Sequence, residues 1–184
     1  MSPIGDIPEP TFAAPRLSSR AFPSYRFVPG VHPHPTRDPR GHSHAISPRA
    51  GRHAVWRPDD WRMLDAWLYG IDLFNAHYFW EAHEAWEALW AVAPRDRPPA
   101  LLLQGLIQIA AALLKIHMGV MEGARVLSRD GLDKMRRASR ESPHLMGLDV
   151  EATALRFARY FAPVSTDVLP SLRDAPAIEC VTRE

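Results

Sequence analysis

Three glutamates and two histidines stand within the fourteen residues from His77 to Trp90, HYFWEAHEAWEALW, beside three tryptophans, a phenylalanine and a tyrosine. His83-Glu84-Ala85-Trp86-Glu87 reads H-E-x-x-E. On a helix, residues four apart share a face, and H-E-x-x-H uses that spacing to hold zinc, with its glutamate as a base. Here Glu87 takes the place of the second histidine, so His83, Glu84 and Glu87 are candidate ligands for a divalent metal. No fixed spacing supplies another ligand. Glu81-x-x-Glu84-x-x-Glu87 also suits a carboxylate metal site in a bundle. Such di-iron sites draw carboxylates from several helices, and this chain has one carboxylate helix.

The same residues support two other readings. Buried acids bond backbone N–H groups, guanidinium forks, amides and indole N–H groups, and so fix one core packing. Glu81, Glu84 and Glu87 with Gln104, Gln108, Trp80, Trp86 and Trp90 would make such a network. Alternatively the face is a polar pocket for a small anionic or amide-containing ligand, or for a peptide. The helix has no Lys or Arg of its own, so pairing at i,i+4 cannot settle its acids. Nucleophilic catalysis has no support: Cys180 has no histidine beside it, no serine sits in an elbow motif, and no Gly-rich phosphate loop is present.

The elements that must position these side chains are helical. Ala, Glu, Leu and Trp dominate 77–90, and Pro94 stops the run. At about 100° per residue, His77, Glu81, Glu84 and Ala88 share one line. A preceding helix is expected from Asp59 or Asp60 to Asn75, with Trp61, Leu64, Leu68, Ile71 and Phe74 as its buried stripe. The two should pair antiparallel across a short turn near Asn75. After PRDRPP, with Asp96 as N-cap, a third helix from Leu101 to Ile116 is apolar nearly all round and so central. Its Gly105 implies close approach by another helix. The run Pro98–Met118 carries Gln104, Gln108, Lys115 and His117, and reads as a buried helix and not a membrane span. A fourth helix runs from Met121 to Arg140, with Arg125, Arg129, Arg136 and Arg140 on a solvated face eased by Asp133 and Asp130. A fifth runs from Asp149 to before Pro163, docked by Leu155, Phe157, Tyr160 and Phe161. One weak turn, Thr166 to Leu172, and a loose tail follow.

Residues 1–57 hold ten prolines, eight arginines, three acids and five of the nine histidines, with no lasting apolar period. They read as an irregular arm, largely unable to bury enough to offset ordering entropy. In an extended chain, residues two apart point the same way, so His32/His34 and His42/His44 are candidate chelating pairs. The arm is cationic where the helix face is acidic. Tyr25–His44 is therefore expected across that helix, with Tyr25 and Phe27 seated on the bundle and His34 or His42 near the glutamates.

Helices one to four resemble the bacterial and archaeal "domain of unknown function 309" family. The resemblance rests on LFNAHYFWEAHEAWEALW (Leu73–Trp90), LLLQGLIQIAAALLKIHMG (Leu101–Gly119) and EGARVLS (Glu122–Ser128), and covers roughly residues 60–140. It departs at His77, where many relatives carry a small residue. It implies a small all-helical up-and-down bundle, and implies no activity, substrate or cofactor.

The expected fold is thus all-α: an arm over 1–57, a bundle of about five helices over 58–163, and a tail over 164–184. With 184 residues and a net charge of +1, no strong field draws the chain to nucleic acid or membrane. The single cysteine and the lack of a signal-like segment suit a reducing, cytoplasmic setting. The expected function is a non-enzymatic module, monomer or homodimer, that binds a partner or small ligand through Glu81, His83, Glu84, Glu87, Gln104, Gln108, His34 and His42. The alternative is a metal-dependent enzyme or metal sensor.

Overall fold

The computed structural model describes residues 5–11, 13–44, 56–95 and 97–181. Asp96, read above as an N-cap, lies outside them, as do 45–55 of the arm and 182–184 of the tail. Five helices form the body: α1 (Asp65–Asn75), α2 (Phe79–Trp90), α3 (Pro98–His117), α4 (Met121–Glu141) and α5 (Val150–Phe161). The fold is the all-helical bundle expected. A two-residue ladder, β1 (His144–Leu145) with β2 (Leu148–Asp149), joins α4 to α5. Its loop residues Met146 and Gly147 both have positive φ, as a tight hairpin turn requires.

Proline occupies the first turn of α3, where its missing N–H costs nothing. This helix is long and apolar enough to cross a membrane, yet 72% of its apolar window is buried inside the protein. It is the central strut, packed against α2 on one side and most extensively against α4 on the other. The approach to α4 is close. A Cβ on Gly105 would lie 2.9 Å from the Gly131 carbonyl oxygen, and one on Gly131 would lie 2.9 Å from that of Gly105. The core continues through Trp67, Phe74, Phe79, Trp86 and Phe157, all essentially inaccessible.

Four expectations need correction. The first helix is broken: Trp61–Met63 form a 3-10 turn and α1 starts only at Asp65. The second helix begins at Phe79, not His77. His77 has φ +63° and ends α1. Its N–H bonds to the Phe74 carbonyl at 2.9 Å, and that of Tyr78 to the Leu73 carbonyl at 2.8 Å. This is the paired-bond helix stop in which the left-handed residue is usually glycine. Leu155 does not dock α5 but is half exposed, because Thr153, Ala154, Phe157 and Phe161 already fill the inward stripe. The tail is not loose. Ile178 is buried, and its N–H and C=O bond to the Asn75 amide at 2.7 and 2.9 Å. Val181 N–H bonds to the Gly147 carbonyl at 2.7 Å, and burial between these segments pushes the Cys180 thiol up to about 11.

Candidate binding site on the second helix

The arm is irregular, as its prolines dictate, but it is held across α1 and α2 at defined points. Asp72 is buried in α1 and accepts from the N–H groups of Leu17 (2.7 Å) and Ser18 (2.8 Å) and from Arg16 Nε (3.3 Å). Tyr69 and Tyr78 donate to the Ala21 and Pro23 carbonyls. Arg26 lies over the Tyr78 ring and donates to the Ala76 carbonyl at the end of α1. Phe27 and Val28 are buried. Of these anchors only Phe27 was anticipated; Tyr25, expected on the bundle, makes its ring contacts and hydrogen bonds within the arm. The missed signal is Asp72. It stands beside Ile71 on the inward side of α1, an acid among buried side chains, and such an acid requires donors.

Glu81 is the meeting point of arm and α2. Its side chain is 4% exposed and that of His42 is 5%. Glu81 Oε1 accepts the Phe27 N–H at 3.0 Å and lies 2.9 Å from His42 Nε2. Glu81 Oε2 is buried without a hydrogen-bond partner. Tyr25 supports the pair: its ring stacks on His32 and tilts onto His42, and its hydroxyl donates to the Pro33 carbonyl at 2.7 Å. His34 does not reach the acids. Its ring packs on Phe27 and Trp80. The paired-histidine chelates do not form, because the arm turns repeatedly at 29–32 and 35–44 and the alternation of an extended strand is lost. His32 faces Asp6 at 2.7 Å, while His44 faces the Thr36 carbonyl at 3.2 Å.

Steps of three residues rotate a helix face by about 60°, so the three acids of α2 diverge. Glu81 points into the arm, whereas the Glu84 and Glu87 side chains are 44% and 49% exposed. His83 stands between them, with Nδ1 3.5 Å from Glu84 Oε1 and Nε2 3.6 Å from Glu87 Oε1. These are ion-pair distances too long for strong hydrogen bonds, and His83 Nδ1 is buried with no hydrogen-bond partner. Burial pushes the His83 ring toward the neutral form, but the Glu84 and Glu87 carboxylates outweigh it and raise its pKa. One donor atom from each residue lies within 4.8 Å of the others.

Gln104 and Gln108 do not join this cluster. Among the described residues, neither bonds to an α2 acid. Gln108 packs instead where α3 meets Gly131 of α4, its Oε1 buried and unpartnered. The Trp86 indole donates to the Trp67 carbonyl, so the single Glu–Gln–Trp network expected from the sequence is not built. His117 is tied to the Gly5 carbonyl at 2.8 Å. On α4, Arg125 pairs with Glu122 and Asp167, and Arg129 with its neighbour Asp130.

A neutral histidine in the α1–α2 turn couples this region to pH. His77 is 2% exposed, and burial pushes its pKa below the usual value, against the opposing pull of the Pro8 carbonyl. The unfolded chain therefore binds its proton first as pH falls below about 6.5. The His77 contribution is fully present above that pH and is lost as pH drops through the lower folded value. His83, a quarter exposed, works weakly in the opposite sense. Urea unfolding of wild type and His77→Asn between pH 7.5 and 5 is expected to show wild type losing more stability on acidification. The difference has a slope of at most about 1.4 kcal/mol per pH unit.

An α-helical bundle with a His/Glu-rich second helix and a Gln-Gly third helix is the class these features define. Residues 67–127, from within α1 to the first half of α4, match the model of the family described as Domain of unknown function (DUF309), which supports the resemblance read from the sequence over that segment. No curated protein and no solved structure matches the chain.

Proposed function

We propose that this chain is a non-enzymatic helical module that binds a protein partner or small ligand through the outer face of α2. The observation that carries this is the division of α2. Glu81 is taken up by the arm, while Glu84 and Glu87 stay open to solvent with only His83 between them. With His83 protonated the cluster still carries net negative charge, so it suits a ligand or partner segment that brings hydrogen-bond donors and positive charge. In this reading the protein acts in the cytoplasm as a monomer or homodimer, with no nucleic acid and no membrane.

A second reading is favoured by one observation, the approach of three donor atoms within 4.8 Å. One imidazole nitrogen and two carboxylate oxygens suit a divalent transition metal, and three ligands leave positions open for a substrate or sensor ligand. Elemental analysis of protein purified without a His-tag or chelator separates the two. The first reading expects folded protein free of metal. Stoichiometric metal that disappears in Glu84→Gln would move the function to the metal-dependent class.

A further inference from the structure

A cleft of about 240 Å³ opens where three separate parts of the chain converge. The arm contributes Thr11, the α1–α2 turn contributes His77, and the C-terminal segment contributes Arg173 and Asp174. It is distinct from the outer face of α2. Its wall is mostly apolar, with Phe74 and Pro176 among the lining residues.

His77 is the unusual member. It holds a left-handed backbone, φ +63°, which costs a non-glycine residue of order 1 kcal/mol or more. Its ring stacks on Phe79 at 5.0 Å, and Nδ1 lies 2.9 Å from the Pro8 carbonyl oxygen. A carbonyl can only accept, so Nδ1 carries the proton. Burial keeps the ring neutral near pH 7, and Nε2 is then a lone-pair acceptor. That nitrogen bonds to no described residue, yet it is not among the sealed, unpartnered atoms of the structure. It therefore opens on the cleft that His77 lines. At the mouth, Arg173 and Asp174 are exposed and form no ion pair among the described residues.

We propose that this cleft binds a small amino-acid-like molecule, its amino group donating to His77 Nε2 and Asp174 and its carboxylate meeting Arg173. The volume supports this size class, since drug-sized ligands occupy roughly 300–1,000 Å³. A planar guanidinium and two acceptors lining one cleft suit a molecule that carries a carboxylate and an ammonium on one carbon. The apolar wall takes a short side chain.

The test uses the full chain with 15N-labelled histidine. The His77 Nε2 resonance is followed during titration with L-alanine, and separately with acetate and with methylammonium. L-Alanine is expected to shift Nε2 saturably, and Arg173→Gln to weaken that binding about tenfold. Each half-molecule should bind at least tenfold more weakly than L-alanine. His77→Asn keeps a residue that tolerates positive φ, so it is expected to fold and to lose L-alanine binding by calorimetry. A linear or absent response of Nε2, unchanged affinity in Arg173→Gln, or binding that survives in His77→Asn would overturn the proposal.

Discussion

Glu81→Ala is expected to lower the melting temperature by roughly 10 °C and to expose the arm to trypsin. The substitution leaves the Phe27 N–H and His42 Nε2 without their shared acceptor in a site where both partners are nearly sealed. Each buried donor left without its acceptor costs about 1–3 kcal/mol. For a chain of this size each kcal/mol moves the transition by about 2–4 °C. Glu81→Gln keeps an oxygen for Phe27 and should lose less than half as much. Cleavage at Arg16, Arg20, Arg26, Arg37 and Arg40 should accelerate in Glu81→Ala in parallel with the lost stability. Unchanged melting with unchanged cleavage would mean that the arm is held without Glu81.

Gly70→Ala should also destabilise, by about 2 kcal/mol or more, against the local preference of a helix. Alanine gains about 1 kcal/mol over glycine in a helix interior. At this position, however, the new Cβ would lie 2.2 Å from Trp86 Nε1 and 2.6 Å from its Cδ1. Trp86 is wholly buried between Trp67 and Phe74, and its N–H is engaged by the Trp67 carbonyl. The ring has nowhere to go, so overpacking of about 1–3 kcal/mol is added to the loss of that bond. Gly123→Ala is the control. Its Cβ would meet only Lys115 methylenes and a Val120 methyl at 3.1–3.3 Å, contacts that yield, so it should be neutral or stabilising. Chemical denaturation of the three proteins checks the order. A Gly70→Ala protein as stable as wild type would show that α1 and α2 are packed less tightly here.

The helices were legible because their causes are local. The apolar girth of α3, the Ala/Glu/Leu/Trp content of α2 and the prolines at 94, 98 and 99 each act within a turn or two. The seating of Phe27, and of His42 beside Glu81, followed from charge complementarity between arm and helix. What escaped has causes distant in sequence or without a side-chain signature. The donors to Asp72 are backbone N–H groups of Leu17 and Ser18, which no residue type announces. The left-handed turn falls on histidine where glycine would have marked it. Ile178 lies in a tail whose apolar residues follow no helical period, yet it closes against Asn75, 103 positions away. The three glutamates of α2 looked alike in sequence. Their 60° steps, and an arm that covers only the first, assign one to packing and two to the surface.

If the open half of α2 is a binding surface, reversing its charge should abolish that binding. Wild type and the double variant Glu84→Lys, Glu87→Lys, both shown to be folded, are used as bait in lysate of the source cells. Bound proteins and small molecules are then quantified by mass spectrometry at low and high salt. Both side chains are nearly half exposed, so the variant should fold as wild type does. At least one species should be enriched about tenfold or more on wild type over the variant, with the difference shrinking at high salt. Identical recovery on the two baits would contradict a binding role for this face.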